Sequence, residues 1–355
     1  MIRSCIHNDL RRHRQIQHVG TFAIQLCVAL LFANRAMAIG EKDFAADYAR
    51  LVVPYYEAGV SSTFVGKGEV RISYRVFDRG AESPAIVILP GQSEPYRKYA
   101  ELIYDLGSRG YSIYIMDHRG QGFNDRPTPL HDLSHVDDFN DYVADVEIFM
   151  DKVVLAGKHT KLFLLAHSMG GAIGGLYLSK HPKAFAAVVL SSPMFEINTH
   201  DTSWTYAYFG SLWKVLTGDA RYPVDGMDKY QYDPTRTVDQ SRVTSSKARW
   251  DENRQIIHDS PELAVGGVSY GWLNTALTAT ADIDQLGSLL KVPLVIFKAG
   301  RDDIVRTEIY DSYCTRRRAL CSVVSTPFVD AQHEILQERD EIRDHAIDLI
   351  VTQFQ

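Results

Sequence analysis

Short apolar runs alternate with stretches of helical spacing through most of this 355-residue chain, and that rhythm leaves few folds open. Residues 85–89 (Ala-Ile-Val-Ile-Leu) precede a helical pattern over 96–106. Residues 111–116 precede a loop and a pattern over 136–154, and 162–166 precede one over 170–178. Further runs occupy 187–190 and 294–297. A run that is apolar at every position suits a strand buried on both faces, whereas a strand with one wet face alternates. Right-handed strand–helix–strand crossovers then build a mostly parallel, doubly wound α/β sheet and place chemical groups at the carboxyl ends of the strands. Residues 70–77 alternate as a strand, and 41–56 carry Phe44, Tyr48, Leu51, Val52 and Tyr55 at helical spacing. From Met194 to Gln285 the rhythm breaks into polar turns and aromatics (Trp204, Tyr206, Tyr208, Phe209, Trp213), which reads as a mostly helical cap over the strand ends; the sheet resumes at Val292. The organisation expected is a leader at 1–38, a core in two parts at 39–193 and 289–355, and a cap insertion at 194–288.

The leader reads as an export signal. Arginines precede an apolar run from Thr21 to Ala33, and Ala36-Met37-Ala38 supplies a small-x-small cleavage pattern. The run is short for a bilayer span at 1.5 Å per residue, and no cysteine follows Ala38 to accept a lipid. The expectation is an exported, periplasmic or secreted protein. The alternatives are an uncleaved membrane anchor or a mis-assigned start codon, and an intact Met1 in the cytosol would overturn export. The first 38 residues hold five Arg against one acid, so the formal charge of −6 conceals a body with 33 basic and 43 acidic side chains. Such a body is not drawn to phosphate backbones, so nucleic acid is not an expected partner. Cys5 and Cys27 fall in the leader, leaving Cys314 and Cys321 either as a disulfide or as two buried thiols. No metal-ligand spacing accompanies them, and no glycine-rich phosphate loop with its lysine occurs, so neither a metal nor an organic cofactor is expected.

The strongest chemical signal is Leu164-Leu165-Ala166-His167-Ser168-Met169-Gly170-Gly171. An apolar strand turning at once into a small-residue helix presents Ser168 on a strained tip. Gly170 lets strand and helix approach, and Ala166 stands where the G-x-S-x-G pattern has its first glycine. The bland alternative is a serine that caps a helix N-terminus. A hydroxyl becomes a useful nucleophile only beside a base. Of the chain's 13 histidines, His333 is singled out by position, between an apolar run at 323–328 (broken by Pro327) and the C-terminal helical stretch. An acid is needed to hold the imidazole's tautomer. The loop after 294–297 offers Asp302 and Asp303, so the order Ser, Asp, His is kept. Two backbone donors for a tetrahedral oxyanion are expected at Met169, after the nucleophile, and at Gln92 in Leu89-Pro90-Gly91-Gln92-Ser93-Glu94. Without these partners Pro90-Gly91 would be an ordinary turn.

Taken together these segments resemble the lysophospholipase L2 and monoacylglycerol lipase branch of the α/β hydrolases (serine aminopeptidase S33 type), over nearly all of 55–354. Pro90 to Glu94 with Tyr99-Ala100-Glu101-Leu102 is similar to the oxyanion segment, and Asp117-His118-Arg119-Gly120-Gln121-Gly122 to the D-x-R-G-x-G turn. Ala166 to Gly171 resembles the elbow. In Ala299-Gly300-Arg301-Asp302-Asp303-Ile304-Val305 the resemblance gives the acid's place to Asp302. His333-Glu334-Ile335-Leu336 with Glu338 and Arg343 is similar to the L2 histidine loop. Val243-Thr244-Ser245-Ser246, and Pro261 through Gly266-Gly267 to Tyr270-Gly271-Trp272, favour that group within the cap. Pro90 replaces the family's usual histidine, a variation the L2 group shares. The resemblance implies an α/β-hydrolase fold with a helical cap and a serine carboxylic ester hydrolase. Its catalytic residues would be Ser168, Asp302 and His333, its substrate a single-chain acyl lipid, with peripheral membrane contact through the cap. A lysophospholipase is the first expectation. Monoacylglycerol lipase or general carboxylesterase is the alternative, and a non-catalytic lipid-binding member of the fold a third, which failure to label with a fluorophosphonate would favour. His118, Arg119, His167 and Glu94 read as structural partners of the loops.

Overall fold

The computed structural model describes residues 38–128, 130–227 and 230–355; the expected leader, with Cys5, Cys27 and most of its cleavage pattern, lies outside them. Among the described residues the strands are β1 (Val60–Val65), β2 (Arg71–Phe77), β3 (Ala85–Leu89), β4 (Ser112–Met116), β5 (Leu133–Ser134), β6 (Leu162–His167), β7 (Ala187–Ser191), β8 (Gly267–Val268), β9 (Leu294–Phe297) and β10 (Cys321–Val324). Eight of them form one sheet in the order β1-β2-β4-β3-β6-β7-β9-β10. β1 and β2 pair antiparallel, β2 joins β4 antiparallel, and every pairing from β4 to β10 is parallel. The expected doubly wound α/β architecture is therefore the observed one.

The apolar runs are explained by burial on both faces. In β3, Ala85, Val87 and Leu89 enter the core on one side of the sheet while Ile86 and Ile88 enter the core on the other. The first side is covered by the helices Asn140–Phe149 and Met169–Lys180, and the second by Ala100–Ser108, Asp340–Gln353 and the helical turns at 41–57. Each buried Leu, Ile or Phe contributes about 1.5–3 kcal/mol, so no single strand dominates.

Boundaries shift where backbone chemistry overrides apolar pattern. The helix expected from 136 starts at Asn140 and ends in a wider π turn at Met150–Val154, and the one expected from 96 begins as a 3-10 turn at Tyr96–Tyr99. β10 stops at Val324, and the remainder of the 323–328 run is a 3-10 turn, Thr326–Phe328, because Pro327 has no N–H to give a ladder and fixes its own φ. β9 begins at Leu294, after short helical turns at Ile283–Leu286 and Gly287–Leu289. Cys314 and Cys321 are joined as a disulfide between the helix Ile309–Thr315 and β10.

Between β7 and β9 the chain leaves the sheet. It forms helices at Trp204–Leu216, Lys247–Asp259 and Tyr270–Thr280, the first packed on the third. Each starts with a serine (Ser203, Ser246, Ser269) whose hydroxyl accepts a backbone N–H in the first turn. β8 pairs with β5, in the loop that follows β4, and so ties this insertion to the core.

Candidate active site

The turn after β6 has the backbone such a site requires. Ser168 sits at φ 51°, ψ −120°, outside the regions an L-residue normally occupies, and the helix Met169–Lys180 starts directly behind it. Its N–H donates to the Ser191 carbonyl (3.1 Å) and its carbonyl accepts from Met194 N–H (2.8 Å), so the end of β7 and the segment just after it hold the strained residue from both sides. Gly170 is demanded by close approach: a Cβ there would lie 2.2 Å from the Leu89 carbonyl oxygen and 2.4 Å from that of Pro90. The serine and the oxyanion loop after β3 are thereby pressed together.

Three loops at the carboxyl ends of β6, β9 and β10 converge. His333 Nε2 lies 2.8 Å from Ser168 Oγ, and His333 Nδ1 lies 2.8 Å from Asp302 Oδ2. The carboxylate accepts a hydrogen bond from Nδ1–H, which leaves Nε2 free to accept from the serine hydroxyl. Asp302 Oδ1 accepts the N–H groups of Ile304 (3.0 Å) and Val305 (3.1 Å). Burial opposes charge on Asp302, but the hydrogen bond and charge of His333, with those two backbone donors, hold its pKa below the ordinary carboxylate range. Asp303 turns instead to Arg242, whose Nε donates to its Oδ2 at 2.8 Å. Of the two candidate acids the structure brings Asp302, not Asp303, to the imidazole.

Gln92 and Met169 are where the sequence puts them, on the loop after β3 and at the first position of the helix. As the first residue of its helix, Met169 carries one of the N–H groups that have no intrahelical carbonyl to bond, which suits it to receive a ligand oxygen. The Gln92 loop is held by Glu94. The Gly91 N–H donates to Glu94 Oε2 (2.7 Å), Tyr99 Oη donates to the same oxygen (2.5 Å), and Lys98 Nζ donates to Oε1 (2.6 Å). Lys98 is shared with Glu334, also at 2.6 Å. Burial opposes charge on Glu94, yet the charge of Lys98 and the hydrogen bonds of Lys98 and Tyr99 hold its pKa well below the usual carboxylate range, while burial pushes Glu334 up. From the other side, Gln121 Nε2 donates to the Gly91 (2.8 Å) and Glu94 (3.1 Å) carbonyls, and its Oε1 accepts from Ser93 N–H.

The bystander histidines are neutral. Burial drives His118 and His167 each down to about 4; His118 Nε2 bonds the Pro90 carbonyl, and His167 Nδ1 bonds the Ser191 carbonyl with its ring 4.9 Å from that of His333. Arg119 is bound to Asp145, Asp141 and the Lys67 carbonyl, away from the serine. Lys98 and Gln121 were not singled out as individual residues from sequence; the i, i+4 spacing of Glu94 and Lys98 on a helical turn was the available signal for the first.

Ser168 and His333 open into a cavity of about 420 Å³. The insertion contributes Met194, Ile197, Val268, Trp272 and Leu273 to its wall, and Asn198, His200 and Arg242 to its polar part. Among the described residues no cluster of His, Cys, Asp or Glu is arranged to hold a metal ion. The arrangement can do acyl transfer: a hydroxyl activated by a base, the base oriented by an ionised carboxylate, and backbone donors beside the serine.

Comparison with known proteins agrees with this chemistry. Residues 80–340 match the family model described as serine aminopeptidase, S33. Lysophospholipase L2 of Escherichia coli strain K12 is 31% identical over 88% of this chain and 93% of its own length. A probable lysophospholipase L2 of Haemophilus influenzae is 28% identical over 82% of this chain and 91% of its own. Among solved structures, a soluble variant of monoglyceride lipase from Saccharomyces cerevisiae superposes with a TM-score of 0.64 at 17% identity, covering 83% of this chain and 94% of that one. That likeness is one of fold.

Proposed function

The chain belongs to the serine aminopeptidase S33 family of α/β hydrolases and is a lipid ester hydrolase, and from that premise we propose that it is a lysophospholipase working through Ser168, His333 and Asp302. The observation that carries the reading is the unbroken line from Asp302 Oδ2 through His333 to Ser168 Oγ, with 2.8 Å at each step. In the proposed cycle Ser168 Oγ attacks the ester carbonyl while His333 Nε2 takes its proton. The carbonyl oxygen, now negative, is received by the N–H groups of Met169 and Gln92, each worth roughly 3 kcal/mol of barrier. The proton passes from His333 to the departing glycerol oxygen. Water, activated by the same imidazole, then cleaves the acyl-enzyme to give fatty acid and free serine. The charge on Asp302 persists throughout and stabilises the imidazolium.

Two features support a single-chain lipid. The apolar wall of Met194, Ile197, Val268, Trp272 and Leu273 suits an acyl chain, each buried methylene giving about 0.8 kcal/mol. Outside, the cap helix Trp204–Leu216 leaves Tyr206, Phe209, Trp213 and Leu216 exposed at helical spacing along one face. Tyr and Trp on such a face suit a membrane–water boundary, and we assign this face to peripheral contact with the bilayer that supplies the substrate. Among the described residues no helix is long and apolar enough to cross a membrane.

The test is fatty acid release from a panel of lysophospholipids, monoacylglycerols and short soluble esters by the purified protein. The expected result is turnover of lysophospholipid in vesicles at the highest kcat/KM. Phe209→Ser with Trp213→Ser should weaken vesicle turnover roughly tenfold while sparing soluble esters, given the two large apolar side chains withdrawn from lipid. Release from short esters alone would overturn the lysophospholipase reading, and equal loss on vesicles and soluble esters would overturn the membrane face.

A further inference from the structure

The polar part of the cavity contains a cation that the hydrolysis itself does not use. Resting on the lysophospholipase reading above, we propose that Arg242 is the clamp for the phosphodiester of the substrate's own head group.

Of the residues lining the cavity, the permanent cations are Lys98 and Arg242. Lys98 is committed, held at 2.6 Å by each of two buried carboxylates, Glu94 and Glu334. Arg242 is not. Its Nε donates to Asp303 Oδ2, and its Nη2 donates to His200 Nε2 (2.9 Å) and the Asp303 carbonyl (3.2 Å), while Nη1 makes no hydrogen bond among the described residues. The Arg242–Asp303 pair is about half exposed, 48% and 49%, so it can rearrange toward an entering anion at little cost. A guanidinium presents planar, paired N–H groups that match two phosphate oxygens, which a lysine cannot do as well.

Its backbone is not free to wander. Arg242 lies on the last stretch of the insertion before the helix Lys247–Asp259, and that stretch is sewn to the histidine loop. The Glu334 N–H donates to the Val243 carbonyl (2.7 Å), Thr244 Oγ1 donates to the Gln337 carbonyl (2.6 Å), and Ser245 Oγ donates to Glu338 Oε2 (2.5 Å). The side chain then spans to the residue beside Asp302. The segment 242–245 thus bridges the loops of the base and the acid. His200 joins the cluster on a left-handed backbone (φ 51°), its N–H donating to Asn198 Oδ1, and Asn198 Nδ2 donates to the Asp303 carbonyl.

Burial sets the direction of the substrate. Val268 and Trp272 are buried, whereas His200 and Arg242 are exposed. The acyl chain therefore enters inward along the apolar wall, and the leaving glycerophosphate stays at the solvent edge, where Arg242 meets it. A phosphate-free leaving group offers the guanidinium nothing of equal strength.

Kinetics on two monomeric substrates with the same octanoyl chain, a lysophosphatidylcholine and a monoacylglycerol, test this below the concentration at which either aggregates, so bilayer head groups play no part. In Arg242→Gln the ratio of kcat/KM for the phospholipid over the glyceride should fall roughly tenfold to a hundredfold, mostly through KM, as for loss of a charge-assisted hydrogen bond. Arg242→Lys should recover part of the ratio. An equal fall on both substrates would mean that Arg242 only ties the cap to the acid loop, and would overturn the clamp while leaving the lysophospholipase reading intact. Wild-type protein that cleaves the glyceride but not the phospholipid would overturn that reading, and the clamp with it.

Discussion

Ser168→Ala is expected to lower kcat on lysophospholipid about ten-thousand- to million-fold, with the protein folded and fluorophosphonate labelling lost. The size follows from how the three residues act as a unit. In the absence of the hydroxyl, the imidazole has nothing to deprotonate except water, and only binding and oxyanion contacts remain to accelerate the reaction. For the same reason His333→Ala should cost about as much alone, and the double variant scarcely more than either. The fold should survive because Ala keeps the Cβ that Ser168 already places at φ 51°, so the strain of the turn is unchanged, and the loss is one buried hydroxyl bonded to His333. Asp302→Asn should be milder: the amide can still touch Nδ1, yet it no longer favours the tautomer that leaves Nε2 free, nor balances the imidazolium. Kinetics of the three variants, with circular dichroism to verify folding, make the check. Retained labelling in Ser168→Ala would place the nucleophile elsewhere.

The parts of this fold legible in the sequence are those specified by local pattern. β3 is apolar at all five positions because both its faces are covered, and the apolar run marks its limits at Ala85 and Leu89. The elbow is legible because its sterics are local: a strained serine, then a glycine where any Cβ would strike the Leu89 and Pro90 carbonyls. His333 was legible by its place in the chain order, and the structure puts its ring between Asp302 and Ser168. β1 was not. Its residues Val60–Val65 are polar in the middle, and only Phe64 is buried, so an edge strand made mainly by pairing with β2 leaves little apolar signature. β5 and β8 are two residues each and exist only through one another.

Charge pairings across the chain were hidden for the same reason. Nothing local says that Lys98 will meet Glu334, or that Arg242 will cross to Asp303, because those contacts depend on where the insertion returns to the core. Arg343 is legible only as part of the motif after His333; its acidic partners lie more than two hundred residues earlier, on the helix Ala100–Ser108.

Those partners make Arg343 the site of the largest expected loss of stability. Its guanidinium is fully buried, donating from Nη2 to Asp105 Oδ2 (2.6 Å) and from Nε to the Leu336 carbonyl (3.0 Å), with Nη1 3.2 Å from Glu101. Glu101 has a second cation in Arg249, which donates to it through Nε and Nη2. Among the described residues, the other cation near the Asp105 carboxylate is Arg109, at 4.0 Å. Arg343→Met would therefore strand Asp105 in the core, and removing one member of such a pair costs about 3–5 kcal/mol. Burial already pushes the Asp105 carboxyl up to about 6 against the pull of Arg343. A carboxyl whose folded pKa stands above its unfolded value of about 3.9 contributes most below that value, and the contribution is lost as pH rises through the folded pKa. Without Arg343 the folded pKa climbs further, so the deficit of the variant should widen as pH rises past 6. Adding Asp105→Leu removes the stranded group, and the double variant should regain most of the loss and shed the added pH dependence. Denaturant unfolding at pH 5 and pH 8, with the slope checked for constancy, reads both effects. A double variant no more stable than Arg343→Met would show that the arginine acts through its bond to the Leu336 carbonyl, which braces the histidine loop, and not through Asp105.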